Sequence, residues 1–367
     1  MACDPQIQGE SSDLVRVSED PLCRESHLTS LDTLITPTEL FYIRNHFSDI
    51  PNLDPSTWQL VIEGEVRQPL TLNFSDIMAM PSQELVITME CAGNSRSYVT
   101  PPAEGLIFRH GAVSTARWKG VPFNALLERA GLNDAAVEVV FEGADRGREE
   151  EDGVAFDLTY RRSLPLEKAR HLDILLAYEM NGEVLTAQHG FPLRLVVPRW
   201  YAMASVKWLT GVNVLDRPFE GFFQQRRYVT INEGREDSLE RQPVTALKVK
   251  SLITSPRHGE VIQPGSCAIR GFAWSGEAVA DKVEVSPDGG RNWQGATLLG
   301  EPDPNTWRQW EFIWQTSDPG HYILMARATD SAGNTQPETI SWNFRGYANN
   351  GIHTIAIEVP TLKAIPN

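Results

Sequence analysis

Residues 89–97 read MECAGNSRS and follow directly on an apolar run, LVITM at 85–89, with the length and composition of a buried strand. The strand delivers the chain to Cys91. Ala92 and Gly93 are small enough for a tight turn and for something bulky to come close. Asn94 tolerates turn geometry and offers an amide, while Arg96 places a cation near the sulfur, which favours thiolate. These residues support three readings of Cys91. It is a buried cysteine ending a strand, a nucleophile that needs a histidine such as His46 or His110, or a soft thiolate ligand for a metal. The local sequence leaves all three open.

Around this segment, residues 36–240 mix strand and helix signals and form a first domain. Residues 58–63 (WQLVIE), 191–198 (FPLRLVVP) and 205–214 (SVKWLTGVNV) predict strands, and Ser75 predicts the cap of a short helix ending near Pro81. Residues 122–131 (PFNALLERAG) predict a helix. Proline opens it, glycine closes it, and Phe123, Leu126, Leu127 and Ala130 share a face. Residues 1–35 are polar and irregular and are expected to wrap on the surface, and the acidic run 149–152 (EEED) is expected to be a solvated loop.

The charged, weakly hydrophobic stretch 232–243 (NEGREDSLERQP) marks a boundary. Residues 241–367 then run as short strands (KVKSLIT, CAIRGFAW, DKVEVS, WRQWEFIW, HYILMARATD) with turns at 288–290 and 330–334, which predicts an all-β immunoglobulin-like sandwich. This domain carries Trp274, Trp293, Trp307, Trp310, Trp314 and Trp342, more than a core of that size needs. Exposed aromatic positions and a two-fold homodimer are therefore expected, the alternative being that these tryptophans all pack internally.

The formal net charge of −15 argues against nucleic acid as a partner, and any anionic substrate must be drawn in by local cations rather than by the global field. The four cysteines, Cys3, Cys23, Cys91 and Cys267, form no C-x-x-C pair, so neither a zinc site nor a disulfide framework is expected; Cys267 reads as a buried strand residue. No apolar run is long enough to span a membrane, and no membrane partner is expected. The N-terminus has no leader pattern, so the expected location is the cytoplasm, or the periplasm if a leader has been removed.

Cys-Ala-Gly-Asn-x-Arg after a strand, followed by Gly111-Ala-Val-Ser-Thr-Ala-Arg-Trp-Lys-Gly120, closely resembles the sulfite oxidase family of molybdopterin enzymes, which also includes assimilatory nitrate reductases. Phe41-Tyr-Ile-Arg-Asn-His46, Phe141-Glu-Gly-Ala-Asp145, Ala177-Tyr-Glu-Met-Asn-Gly182, His189-Gly-Phe-Pro-Leu-Arg194 and Ser205-Val-Lys-Trp208 fall in the family's order and spacing. The resemblance runs from about residue 35 to about residue 359. It implies an α+β molybdopterin-binding domain (the sulfite oxidase fold) followed by an immunoglobulin-like dimerisation domain.

In the site, the resemblance implies a molybdenum–molybdopterin cofactor bonded to the protein through Cys91 alone. Tyr42, Ile43, Arg44, Asn45, His46, Asp145, His189, Arg194, Ser205, Val206 and Lys207 would hold the pterin and its phosphate, for which such cations, amides and imidazoles are suited. Arg44 and Arg96 would face an oxyanion, and Tyr228 falls near the family's active-site tyrosine. The implied activity is oxidation of sulfite to sulfate by oxo transfer. The alternatives are reduction of nitrate or another oxo acceptor, or a cofactor-free scaffold of the same fold. The chain departs from the family's pattern in three places. Ser95 stands where animal and plant members often carry a first of two arginines, and Phe108 stands where animal enzymes carry tryptophan. No haem domain precedes the first domain, so no haem and a separate electron acceptor (oxygen or a cytochrome) are expected.

Overall fold

The structure, a computed structural model, describes residues 14–151, 153–231, 241–316 and 318–361. Among the described residues most of the regular structure is β, with three short α-helices. Phe123–Ala130 forms as expected, with Phe123, Leu126, Leu127 and Ala130 buried. Burying its two leucines and its phenylalanine stabilises the domain by roughly 1.5–3 kcal/mol each. The helix Phe74–Met78 is capped by Asn73, two residues earlier than the Ser75 expectation. The Asn73 side chain accepts the Asp76 N–H, and the Asp76 carboxylate accepts the Asn73 N–H, each at 2.9 Å.

Two sheets carry the first domain. One runs in the order Leu70–Asn73, Gln59–Gly64, Leu209–Leu215, Glu138–Glu151, Val154–Pro165. The other runs Glu183–Val184, Leu175–Met180, Val113–Pro122, Gln83–Glu90, with Arg194–Val196 also paired to Leu175–Met180. Gln83–Glu90 pairs antiparallel with Val113–Pro122, and Cys91 N–H extends the ladder by donating to Ala112 O at 2.9 Å. Cys91 therefore leaves a strand whose last four residues are all buried.

Three expectations need correction. The N-terminal segment is not wholly irregular. Leu14–Glu19 and Leu22–Ser26 form a hairpin, and Ile43–Arg44 adds to it with Cys23 opposite Arg44. Residues 1–13 lie outside the described residues. Glu149, Glu150 and Glu151 are not a loop but the end of the long strand Glu138–Glu151, where arginines partner Glu149 and Glu151; Asp152 lies outside the described residues. Lastly, 191–198 yields only Arg194–Val196, and 205–214 becomes a strand only from Leu209, so Ser205, Val206 and Lys207 sit on an irregular segment.

The second domain is a sandwich of two four-stranded sheets. One is Lys250–Ser255, Gly265–Trp274, Arg308–Thr316, Thr297–Leu298, and the other is Gln294–Gly295, Ala280–Ser286, Gly320–Asp330, His353–Val359. The core between them includes Ile253, Ile269, Val283, Trp310, Trp314, Leu324 and Ile355. The tryptophans do not make an exposed face: Trp274, Trp307, Trp310 and Trp314 are buried. Trp274 and Trp307 pack into the first domain's core instead. The exposed apolar side chains of the sandwich are aliphatic, among them Val261, Leu299, Ile313 and Ile323. Of the expected boundary, residues 232–240 lie outside the described residues.

Candidate active site

Cys91 is buried, and its thiol accepts the Gly93 N–H at 3.4 Å. Burial pushes the thiol pKa up, although Arg44, the Gly93 N–H and Arg96 pull it down. The expectation that Arg96 would leave a low-pKa thiolate is thus outweighed by desolvation. The histidines that a nucleophile would need are engaged elsewhere. His110 Nδ1 is 2.7 Å from Ser95 Oγ, and His46 Nε2 is 2.6 Å from Tyr228 Oη. This geometry weakens the nucleophile reading. A metal ligand needs no base and loses its proton to the metal.

Cys91 lies where two cavities meet. The larger spans about 610 Å³ including its opening to solvent, and Tyr42, Arg44, His46, Asp145, His189, Arg194, Ser205, Lys207 and Tyr228 line it. These residues are up to 186 positions apart in the chain. The strand Glu138–Glu151 shifts register between Glu142 and Arg146, and this bulged stretch turns Asp145 into the cavity. Three expected residues have no side chain on its wall. Ile43 sits half-buried in its strand and Val206 packs in the apolar core. Asn45 lies behind the wall, where its Oδ1 accepts Lys207 Nζ and its Nδ2 donates to Gln188 Oε1 at 3.0 Å.

The polar groups of this cavity are under-paired for their burial. Asp145 Oδ1 and Arg194 Nε are buried with no hydrogen-bond partner among the described residues. Burial raises the Asp145 carboxyl pKa against the pull of Lys207, and burial together with Arg194 lowers that of Lys207. His189 is held to about 3 by burial and by Arg194 and Lys207, so it stays neutral and can both donate and accept. Gly190 has φ +102°, and a Cβ there would stand 3.0 Å from Lys207 Cβ and 3.1 Å from Arg194 Cβ. Glycine thus lets the two cations converge. An anion-bearing ligand with ring amides would satisfy this donor set, and a pterin phosphate fits it.

The smaller cavity, about 360 Å³, is shaped by Arg44, Arg96, Arg227 and Arg345 with Cys91, Phe108, Tyr228 and Tyr347. Arg96 is fixed from several sides. Its Nε donates to Arg345 O at 2.7 Å and its Nη1 to Leu106 O at 2.6 Å, and its guanidinium lies 4.9 Å from the Tyr347 ring centre. A Cβ on Gly93 or on Gly105 (φ +113°) would come within 2.8 or 2.9 Å of Arg96 Nη1. Gly105→Ala is therefore expected to displace Arg96 and raise the Michaelis constant for an oxyanion; an unchanged constant in steady-state kinetics would count against the pocket.

Tyr228 stands between Arg44 and His46. Arg44 Nη2 donates to its oxygen at 3.3 Å, and Nε2 of His46, kept neutral by burial, lies 2.6 Å from the same oxygen, the donor being set by the imidazole tautomer. Burial also raises the Tyr228 pKa, so the phenol stays protonated.

Sequence reading missed Arg227, Arg345 and Tyr347, as well as Phe41, Met89, Tyr160 and Gln188 on the larger cavity's wall. Arg345 and Tyr347 belong to FRGYANNG at 344–351, too rich in glycine and asparagine for a strand and too aromatic for a plain linker. That mixture was the available signal. Glu151 of the first domain pairs with Arg345 Nη2 at 3.1 Å.

The chain matches the oxidoreductase molybdopterin binding domain over residues 47–223 and the Mo-co oxidoreductase dimerisation domain over residues 241–360. It is 33% identical to the sulfite oxidase of Arabidopsis thaliana over an alignment of 375 positions that covers 93% of each chain. The chain belongs to the sulfite oxidase family of molybdopterin oxidoreductases. It is also 37% identical over 349 residues to the mitochondrial sulfite oxidase of Mus musculus, where the match covers 89% of this chain and 62% of that protein. The chain therefore spans less than two thirds of that relative. The sulfane dehydrogenase SoxCD from Paracoccus pantotrophus has the same fold, with a TM-score of 0.80 and 29% identity across 96% of this chain and 92% of that one. Within this family frame, the larger cavity is the one whose orphaned polar groups suit the molybdopterin.

Proposed function

We propose that this chain oxidises sulfite to sulfate with a molybdenum–pterin cofactor held through Cys91. One observation carries the reading: Cys91 stands between a cavity whose wall carries Asp145, His189, Arg194 and Lys207 and a small pocket lined by four arginines. When bound, the cofactor supplies the two-electron redox chemistry, and the protein supplies binding, orientation and electrostatics. Asp145, His189, Arg194 and Lys207 would hold the pterin and its phosphate. Arg44, Arg96, Arg227 and Arg345 would offset the charge of the oxyanion in a site largely shielded from water. Tyr228, protonated and backed by His46, would add a neutral donor. Sulfite-dependent reduction of a dye tests the reading, with nitrate and thiosulfate assayed on the same preparation. Turnover of nitrate or thiosulfate in place of sulfite would replace it.

Two expectations follow. Because the chain carries a net charge of −15, capture of a sulfite dianion depends on local cations, and that attraction is screened by salt. The sulfite kcat/KM is expected to fall as ionic strength rises, and a flat salt profile would contradict it. Arg345→Gln is expected to raise KM for sulfite by about tenfold with a smaller loss in kcat, as for a charge-assisted contact worth roughly 1.5–3 kcal/mol.

We also propose a two-fold homodimer. It rests on the matched dimerisation domain and the exposed aliphatic residues of the sandwich, not on its tryptophans. Light scattering is expected to give twice the 41.0 kDa of one chain; a monomer at micromolar concentration would overturn it.

A further inference from the structure

Beneath the Cys91 loop lies a polar cluster that the proposed chemistry does not use. Lys250, at the start of the strand Lys250–Ser255, and Glu90, at the end of Gln83–Glu90, each expose 1% of their side chains. Lys250 Nζ donates to Glu90 Oε1 at 2.9 Å and to Ser95 Oγ at 2.8 Å. Glu90 also accepts Asn94 Nδ2 and Trp274 Nε1, each at 2.9 Å. Ser95 Oγ in turn meets His110 Nδ1 at 2.7 Å, and Ser95 O accepts Asn349 Nδ2 at 2.8 Å. One buried ammonium thus ties together Glu90 and Ser95, the residues at the two ends of Cys91-Ala92-Gly93-Asn94, reaching them from the other domain.

Ser95 has φ +70°, a left-handed conformation that a side chain adopts at a cost. The Ser95 hydroxyl is also short enough to leave the Lys250 ammonium its place. An arginine at position 95 would bring a second cation into the same buried space, so serine at 95 and lysine at 250 act as one feature. A buried ion pair contributes little net stability unless its remaining donors and acceptors are satisfied, and its best-attested use is to fix one arrangement among several. Here the arrangement being fixed is the pitch of the loop that carries Cys91 at one end and Arg96 at the other.

We propose that Lys250 is a positioning residue: from the second domain it pins Glu90 and Ser95, and so sets where Cys91 and Arg96 stand. The kinetic part of this inference rests on the reading of Arg96 as an oxyanion ligand; the structural part does not. Three variants of the full-length, molybdenum-loaded protein separate the possibilities: Lys250→Met, the double variant Glu90→Gln/Lys250→Met, and Ser95→Ala. Lys250→Met strands a buried carboxylate and is expected to lower the denaturation midpoint. The double variant removes both charges and is expected to recover that midpoint. It is not expected to recover the loop, because nothing then bridges position 90 to position 95. Amide hydrogen exchange of residues 91–99 should therefore run at least tenfold faster in the double variant than in the wild type, and its sulfite KM should rise severalfold while kcat changes less. Ser95→Ala should show a milder form of the same two effects. If the double variant recovers stability, exchange protection and KM together, Lys250 is only the charge partner of Glu90 and the inference is overturned. If the wild type oxidises no sulfite but the exchange pattern holds, the clamp stands and the sulfite reading falls.

Discussion

Cys91→Ser is expected to lower kcat for sulfite by well over a hundredfold while the protein still folds, since losing even an outer-shell partner of a metal ligand typically costs about 10–100-fold. A serine oxygen is a harder donor than thiolate and shifts the electronics of any metal it holds. The fold should tolerate the change. Cys91 contributes one buried side chain at the end of a strand whose ladder is set by backbone bonds from Gln83–Glu90 to Val113–Pro122. Pterin can remain bound, because the residues suited to hold it, Asp145, His189, Arg194 and Lys207, lie elsewhere on the cavity wall. Far-ultraviolet circular dichroism and pterin fluorescence after denaturation check both points. Wild-type turnover in this variant would remove Cys91 from the metal and with it the proposed chemistry.

Arg44→Gln and Arg96→Gln are each expected to raise KM for sulfite by roughly ten- to a hundredfold, the equivalent of one charge-assisted hydrogen-bonded contact at about 1.5–3 kcal/mol. The loss in kcat should be smaller. Arginine presents a planar fork that pairs with two oxygens at once, so Arg96→Lys should rescue only part of the effect. The two sites differ in their support. Arg96 is held by Arg345 O, Leu106 O and the Tyr347 ring, so glutamine there also leaves two carbonyls without their donor. Arg44 is held by Asn45 O and Tyr228 Oη, so its loss should also free the phenol. Steady-state kinetics over a range of sulfite concentrations would decide. Unchanged constants in both variants would withdraw the oxyanion pocket while leaving the metal ligand in place.

Local residue chemistry exposed some of this in the sequence and hid the rest. The helix Phe123–Ala130 was legible because proline, glycine and four apolar residues at helical spacing agreed. The sandwich was legible because its strands alternate between evenly spaced turns. The N-terminal hairpin was not, because Leu14–Glu19 and Leu22–Ser26 mix polar and apolar positions without a clear period, and the third strand, Ile43–Arg44, pairs with them from further along the chain. The acidic run at 149–151 read as solvent-facing because charge alone does not reveal a partner 194 positions away in Arg345. The tryptophans of the second domain read as an exposed face because sequence does not show that the first domain's core extends to Trp274 and Trp307.

Within the site, Cys91, Arg96 and the cavity residues were legible through a pattern of motifs. Arg345 and Tyr347 lay outside every motif, and Arg227 stood beside Tyr228 with no role assigned to it; only folding brings the three beside Cys91. Ile43, Asn45 and Val206 sit within the motifs, yet their side chains do not line the cavity.

The most direct test is the molybdenum content of the purified chain, measured by mass spectrometry of the metal alongside a sulfite-dependent dye-reduction assay. The predicted result is about one molybdenum per chain, with dye reduction that needs sulfite and vanishes in Cys91→Ser. A folded chain that carries no molybdenum when produced in a host making the cofactor, or that reduces dye equally well with serine at position 91, would contradict it.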